Sequence, residues 1–346
     1  MVEAISFKTR ARTVDHLGRE QIADCPTAIS ELWKNSYDAY ARSAALHIYD
    51  GEPAVAALLD DGHGMNAQEF IDKWLVLGTE SKATDSIVDK DDRHGLSIRP
   101  RQGQKGIGRL SSAFLGPLLL IISKRKNDDF VAALVDWRLF ENPFLMLQDI
   151  EIPVVTFADK TDVFEHLPTM FDQLMGNLWG NSADKGRDKR ILQAWKDHEK
   201  LEHDDEHRET TTKAAIEKTI IKTAFNERHF SKWQVWRGEA DHGTGMFISD
   251  IQNELIIQLT PHSEAALHPE IELTQRDFIR TLSSFTNPYV TDKDKVDFAY
   301  KVMGWEGDLN KTILSNQREV DYSSFLDLEH VVEGKVDKSG VFRGRV

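Results

Sequence analysis

The stretch Ala28–Ala39, AISELWKNSYDA, has the pattern of a helix with two different faces. Apolar residues recur here with the helical period and predict one face that packs on a sheet: Ile29, Leu32, Ala39 and Tyr40. Glu31, Asn35 and Asp38 line a second face together, because residues three or four apart are neighbours on a helix. Two carboxylates and an amide on one stripe can position water and a hard metal ion. A solvated polar face is the alternative for this segment alone.

Composition limits the class of protein. The chain has 346 residues, of which 40% are hydrophobic and 29% charged, so one large or two modest globular domains are expected. The net charge of -14 argues against a general basic surface for DNA. A single cysteine, Cys25, excludes an internal disulfide and a multi-cysteine metal site. No export signal and no long apolar run is present, so we expect a cytoplasmic protein.

A glycine-containing turn follows the second of two predicted strands, Ala45–Tyr49 and Val55–Leu59. The turn has the sequence DDGHGM at positions 60–65. Its two glycines let the backbone approach a ligand closely, and the Asp60 carboxylate can accept a hydrogen bond from an exocyclic amine. A plain turn is the alternative if this motif is considered alone.

A second glycine-rich segment lies further along the chain. After a predicted short helix at Phe70–Leu77, residues 83–102 are polar and charged, which is typical of a mobile loop that acts as a lid. The loop ends in GQKGIGR at 103–109, where a helix is predicted to start near Ile107. Main-chain amides that lead into a helix form an anion site, although flexible surface loops share this composition.

The remaining segments complete the outline of the chain. Residues 1–20 are predicted to be an extended arm, and residues 158–241 a helical insertion. Further strands are predicted at Leu118–Ser123, Phe130–Val135 and Met246–Ile251. In the insertion we interpret three histidines as solvated rather than metal-binding, and four tryptophans as packing groups: His198, His203, His207, Trp179, Trp195, Trp233 and Trp236.

Four segments in this order resemble the GHKL ATPase superfamily, which includes heat-shock chaperones, type II topoisomerase subunits, MutL, MORC proteins and sensor histidine kinases. They are ELWKNSYDA at 31–39, DDGHG at 60–64, GQKGIG at 103–108, and Gly243-Thr244 before a strand. The resemblance covers about residues 1–260, and the sequences of the motifs are most similar to those of MORC and MutL members. It implies the Bergerat fold, a two-layer α/β (α+β) sandwich whose mixed, mainly antiparallel sheet has helices on one face.

The resemblance also implies roles for single residues. Glu31 would be the general base that activates water, and Asn35 would hold Mg²⁺ on the phosphates of ATP. Asp60 would accept the adenine amino proton, supported through water by Thr244. The other implied cofactor-binding residues are Asp38, Gly62, Gly64, Met65, Thr79, Lys82, Gly103, Lys105, Gly106, Ile107 and Gly108. Arg109 is a further candidate for the phosphate side.

The implied function is Mg²⁺-dependent ATP binding and hydrolysis, in which lid closure gates formation of a homodimer. Analogy with MORC and MutL adds DNA processing or antiviral defence in bacteria, with DNA or an effector as a further partner. Residues 261–346 would be a linker helix and the start of a second, transducer-like α/β domain. Two alternatives stay open: a histidine kinase and a scaffold that senses nucleotide without hydrolysis. Only 27 residues precede the helix, with one histidine, which disfavours the kinase.

Overall fold

The computed structural model describes residues 7–77, 88–103, 108–204, 208–265, 267–285, 297–316, 333–336 and 341–345. Several positions with a predicted role therefore lie outside the described residues: Thr79, Lys82, Lys105, Gly106 and Ile107. The start of the arm, residues 1–6, and His207 also lie outside. Within the described part of the chain, no helix is both long and apolar enough to cross a membrane.

A mixed sheet of eight strands forms the centre of the fold. The strands are β1 (Ser43–Tyr49), β2 (Val55–Asp60), β3 (Leu118–Lys124), β4 (Phe130–Asp136), β5 (Val154–Phe157), β6 (Gly243–Ser249), β7 (Ala299–Glu306) and β8 (Leu309–Ser315). Their spatial order is β5-β4-β3-β6-β2-β1-β7-β8. Only β1 and β7 are parallel neighbours among these strands, so the predicted mixed, mainly antiparallel α/β architecture is confirmed. A separate hairpin pairs β9 (Glu333–Val336) with β10 (Phe342–Arg345).

Twelve helices are present in the described ranges. They are α1 (Arg12–Leu17), α2 (Cys25–Asp38), α3 (Ala67–Glu69), α4 (Ser112–Leu115), α5 (Val163–Trp179), α6 (Lys185–His203), α7 (Thr212–Lys222), α8 (Glu227–Phe230), α9 (Gln234–Arg237), α10 (Asn253–Ile256), α11 (His262–Ala265) and α12 (Pro269–Ser283). A π-helical turn, Phe70–Trp74, continues α3, and a 3-10 turn, Gly108–Ser111, leads into α4. These replace the single helices predicted at 70–77 and from Ile107.

Helix α2 begins at Cys25, three residues before the predicted start. Asp24 caps it, because its carboxylate accepts a hydrogen bond of 2.8 Å from the Thr27 N–H, and Pro26 lies in the first turn. The predicted apolar face is confirmed for Ile29 and Leu32, which are buried. Its other two members, Ala39 and Tyr40, lie beyond the end of α2. This capped start fixes the helix and, with it, the polar stripe on its other side.

The prediction of an extended arm was wrong in part. The arm is not extended throughout, since residues 12–17 are helical. Its described part also lies on its own chain, where Ala11 N–H donates to the Leu145 carbonyl at 3.0 Å. The sheet has helix α2 on one face, and the predicted helical insertion lies on the other, since neighbouring strand residues point to opposite faces. Thr244 and Met246 line the cavity beside α2, whereas Phe247 packs on Phe230 of the insertion at 4.4 Å.

The insertion is helical, as predicted, and comprises α5 to α9. His198 is 8% exposed and packs on Trp195, so its predicted solvation was wrong. No cluster in the described ranges groups enough histidine, cysteine or acidic residues to hold a metal ion. Trp195, Trp233 and Trp236 are buried packing groups, whereas Trp179 stays 53% exposed.

The segment after residue 260 begins as predicted with a helix, α12, and then returns to the central sheet. Strand β7 pairs with β1, and β8 pairs with β7. Trp33 of α2 packs on Phe285 and Tyr300 at 5.6 and 4.7 Å. Residues 297–315 therefore extend the sheet of the predicted first domain. The division of the chain at residue 260 remains a prediction.

Candidate functional site

A cavity of about 490 Å³ lies between α2 and the sheet. Small-molecule pockets typically span about 300–1,000 Å³. Seven residues with a predicted binding role line it: Asn35, Asp38, Asp60, Gly64, Met65, Arg109 and Thr244. Segments that are far apart in sequence therefore meet around one space.

The Asp60 carboxylate is held by three donors at the end of β2. Oδ1 accepts hydrogen bonds from the N–H groups of Gly62 and Thr244 at 2.9 and 3.2 Å. Oδ2 accepts one from the Ser36 hydroxyl at 2.9 Å. Burial raises the pKa of the Asp60 carboxyl to about 6, with a smaller contribution from Asp61, while the three donors oppose the rise. The Asp60 carboxyl is thus mainly ionised at pH 7. Its pKa is close enough to neutral for a bound ligand to change its protonation.

The glycines at 62 and 64 are required by the protein's own backbone. Gly64 has φ +65, and a Cβ there would lie 1.9 Å from the Lys124 carbonyl oxygen. A Cβ on Gly62 would lie 2.9 Å from that of Ala39. Close approach to β3 and α2, rather than to a ligand, is therefore sufficient to explain both glycines.

Met65 and Thr244 are connected through Ser123 of β3. The Ser123 hydroxyl accepts a hydrogen bond from the Met65 N–H at 2.9 Å and lies 2.9 Å from the Thr244 hydroxyl. Ser123 is fully buried. It fixes two residues that flank Asp60 in the cavity.

The polar stripe of α2 faces the segment that begins at Gly108. A Cβ on Gly108 would lie 3.3 Å from Glu31 Oε2 and 3.6 Å from Asn35 Nδ2. The Glu31 carboxylate, with about a third of its side chain exposed, also accepts a 2.7 Å hydrogen bond from Lys34. Glycine at 108 thus leaves open the space where these two side chains meet the chain leading into α4.

Asp38 positions the glycine-rich segment. Its two carboxylate oxygens accept hydrogen bonds from the N–H groups of Gln102 and Gly103, both at 2.9 Å. The carboxylate therefore ties the start of this segment to the end of α2. A direct contact of Asp38 or Gly103 with a ligand remains a prediction.

Arg99 anchors the same segment from within the protein. Its guanidinium is buried and donates to the carbonyls of Tyr37 and Ala41 at 3.0 and 2.7 Å. It also pairs with the Asp297 carboxylate at 2.9 Å and lies 4.5 Å from the centre of the Tyr37 ring. One side chain thus joins the loop to the end of α2 and to the start of β7.

A turn at 88–95 lies over the other end of the cavity. One guanidinium nitrogen of Arg125, Nη2, donates to both carboxylate oxygens of Asp92 at 2.7 and 2.8 Å. His94 stacks on His242, with ring centres 3.7 Å apart, and its carbonyl accepts a hydrogen bond from Arg42. Burial, aided by His242, lowers the pKa of His94 to about 4, so this ring is neutral at pH 7. In the loop predicted over 83–102, residues 88–102 are thus held to the core by these contacts, and 83–87 lie outside the described residues. Its role as a mobile lid remains a prediction.

Arg109 also lines the cavity, but its guanidinium is engaged with main-chain carbonyls. Its guanidinium donates to the carbonyls of Lys73 and Val76, which end the π-helical turn. It is also not a solvated surface charge, since burial lowers its pKa. Arg109 is therefore a structural residue that holds this turn beside the cavity.

Sequence reasoning missed Ser36, Ser123, Trp233 and Arg99. A small polar residue at a buried helix position was a signal for Ser36, because it lies on the apolar face of α2. Trp233, whose ring N–H donates to the Asp60 carbonyl at 2.9 Å, gave no local signal. Its partner is 173 residues away.

Comparison with known proteins defines the class of the domain. Residues 24–157 match the family model described as "Histidine kinase-, DNA gyrase B-, and HSP90-like ATPase". This segment is therefore similar to the ATPase domains of the GHKL superfamily, a family whose members bind and hydrolyse ATP. The match confirms the resemblance deduced from the motifs.

The chain is also similar to a solved structure titled "Crystal Structure of N terminal domain of a DNA repair protein". The identity is 12% and the TM-score 0.37, with 89% of this chain and 56% of that chain covered. The chain thus spans little more than half of that structure's length, and so low a similarity indicates nothing about function. No curated protein matches the chain.

Proposed function

We propose that this chain binds ATP with Mg²⁺ and hydrolyses it in the cavity between α2 and the sheet. One observation supports this most directly. Glu31 and Asn35 lie one helical turn apart beside Gly108, and Asn35 lines the same cavity as the Asp60 carboxylate. Asp60, which can recognise a base, thus lies at one end of the cavity. Glu31 and Asn35, which can act on a phosphate, lie at the other end.

At the adenine end, Asp60 accepts the amino proton of the base. Ser36, Gly62 and Thr244 orient its carboxylate, and a buried carboxylate facing a hydrogen-bond donor discriminates strongly against bases that lack one. Gly64 and Met65 form the wall beside it, and the Thr244 hydroxyl supports a bridging water. This arrangement favours adenine over guanine, whose carbonyl oxygen would face the carboxylate.

At the phosphate end, Glu31 orients a water molecule and accepts its proton. Asn35 would hold Mg²⁺, which neutralises phosphate charge when bound. The residues suit this ion, since carboxylate and amide oxygens are hard donors and a Cβ on Gly108 would fill the adjoining space. The predicted phosphate contacts of Thr79, Lys82 and residues 103–108 are part of this proposal.

We extend the proposal to a nucleotide-gated homodimer in the cytoplasm that serves DNA processing or defence. GHKL ATPases commonly dimerise, and the turn at 88–95 already lies over the cavity. Light scattering of the full chain with a non-hydrolysable ATP analogue is expected to give a larger mass than without it. The same mass in both states, well above micromolar concentration, would count against the clamp.

The test of the chemistry is a phosphate-release assay with γ-labelled ATP and Mg²⁺. We expect free labelled phosphate and no labelled protein, with loss of turnover when Mg²⁺ is chelated. Label retained on the chain would instead indicate a histidine kinase. Tight binding without phosphate release would indicate a sensor or scaffold.

A further inference from the structure

The helical insertion reaches the back of the residue proposed to read adenine. Trp233, between α8 and α9, is 1% exposed and donates its ring N–H to the Asp60 carbonyl at 2.9 Å. It packs on the face of the sheet opposite the cavity, where its ring lies 6.5 Å from that of Phe247. The side chain of Asp60 faces the ligand space while its carbonyl is held from the other side.

A second ring holds the same turn two residues later. His242 Nδ1 lies 2.7 Å from the Gly62 carbonyl oxygen. Because a carbonyl only accepts, Nδ1 carries the proton in this contact. The His242 ring also stacks on His94, so the turn at 88–95 rests on the group that fixes Gly62.

These two hydrogen bonds hold the main chain that orients the Asp60 carboxylate toward the cavity. The N–H of Gly62 donates back to the Asp60 carboxylate, so rotation of a peptide in this turn would move both partners. The main chain at Gly243 also lies close to this carbonyl, since a Cβ on Gly243 would lie 2.3 Å from the Asp60 carbonyl oxygen. The orientation of Asp60 therefore depends on its main-chain contacts as well as on its side-chain donors.

We propose that Trp233 and His242 are positioning residues of the adenine site, so that the end of the insertion sets adenine affinity and selectivity. This inference rests on the proposed function of Asp60. Without the ring N–H, the turn populates other conformations, and the apparent affinity falls with the fraction that remains competent. Affinity for adenine nucleotides is lost first, because only they use the Asp60 carboxylate.

The chain provides a matched control three residues away. Trp236 is 2% exposed and donates its ring N–H to Glu227 at 2.6 Å, entirely within the insertion. It stacks on Phe230 and makes no hydrogen bond to the turn at 60–62. Trp233→Phe and Trp236→Phe thus remove the same group from similar environments, and only the first loses a contact with Asp60.

The experiment is titration calorimetry of the full chain with ATP and with GTP in Mg²⁺. Trp233→Phe is expected to weaken ATP binding about three- to tenfold, the effect of one hydrogen bond, and GTP binding much less. Trp236→Phe should change both affinities less than about twofold, while both variants lower the thermal midpoint comparably. A smaller ratio of ATP affinity to GTP affinity in Trp233→Phe alone indicates a positioning role, since a merely structural defect lowers both affinities together.

Equal ATP affinity in the two tryptophan variants would overturn the inference. If Trp233→Phe does not fold, His242→Phe decides by the same ratio, because it keeps a ring to stack on His94 and loses the donor to Gly62. Asp60→Asn in the same series separates this inference from the proposed function. If Asp60→Asn binds ATP with wild-type affinity, the proposed adenine site is wrong. If Asp60→Asn loses ATP affinity but Trp233→Phe does not, only the proposed role of the insertion is wrong.

Discussion

The two ends of the cavity differ in how far they are assembled before a ligand arrives. At the adenine end, three donors already orient the Asp60 carboxylate. At the phosphate end, nearby cations are engaged with the protein: Lys34 with Glu31, and Arg109 with two main-chain carbonyls. The proposed base-recognition group is thus already oriented in the resting fold, whereas Lys34 and Arg109 could bind a phosphate only after an exchange of partners.

This difference indicates where each kind of defect should be observed. A preorganised end contributes directly to affinity, because no partner must be displaced before the ligand binds. An end that rearranges contributes mainly to the rate of the chemical step and to its dependence on lid contacts. The variants below test this division, beginning with the largest expected effect.

Glu31→Ala is expected to slow hydrolysis at least about a hundredfold, as loss of a general base typically does. ATP affinity should change little, because Glu31 is proposed to contact water rather than the nucleotide. Phosphate release at saturating ATP measures the first effect, and calorimetry the second. Lys34→Met is the control, since it removes the partner of Glu31 and leaves the carboxylate. Turnover at the wild-type rate in Glu31→Ala would place the base elsewhere.

Asp60→Asn is expected to weaken ATP binding by about 1–3 kcal/mol, because it replaces one acceptor oxygen and the negative charge with an amide donor that cannot accept the amino proton of adenine. Calorimetry of this variant measures the change. Asp61→Asn is the matched control: its carboxylate accepts from the N–H groups of Arg42 and Ser43 and does not line the cavity. Equal losses in the two variants would show that the turn, and not base recognition, was damaged.

The pH dependence of ATP affinity gives a third test at the adenine end. The pKa of Asp60 is raised to about 6 without ligand, and an amino donor stabilises the ionised form. Affinity should therefore be nearly constant above about pH 7 and fall as the pH drops through 6, by about tenfold at pH 5. The phosphates of ATP also titrate in this range, so the measured quantity is the difference between wild type and Asp60→Asn. Parallel profiles would contradict a role for the Asp60 charge.

The smallest effect on binding is expected for Arg109→Met. The variant should lose about 1–3 kcal/mol of folding stability through its two carbonyl contacts, measured by urea unfolding. ATP affinity should change less than about threefold, since the Arg109 guanidinium already donates to the two main-chain carbonyls. A tenfold loss of affinity without loss of stability would show that Arg109 turns to the phosphates, and the two ends would then differ less than the structure indicates.

The sequence identified local geometry best. The helical period alone places Glu31 and Asn35 on one stripe and Leu32 on the buried face, because each inference needs only a few neighbouring residues. The family resemblance extended this to Asp60 and Thr244, which pair across β2 and β6.

Contacts between distant segments were beyond local reasoning. Arg99 pairs with Asp297, 198 residues away, and neither residue has a neighbour that signals the other. His198 shows a different failure: it lies on the apolar stripe of α6 with Ile191 and Trp195, and the high charge of the other faces concealed that stripe. The arm was predicted from alternation near Phe7, which does not extend into the helix that follows.

The parallel strand β7 has a practical consequence for anyone who shortens this chain. A fragment ending at residue 260 would leave the edge of β1 unpaired along Ser43–Tyr49. Trp33 nearby would also lose its packing contacts with Phe285 and Tyr300. Exposed strand edges recruit other strands. Such a fragment is expected to self-associate with no nucleotide present, and an assay of its mass would report dimers that have nothing to do with ATP.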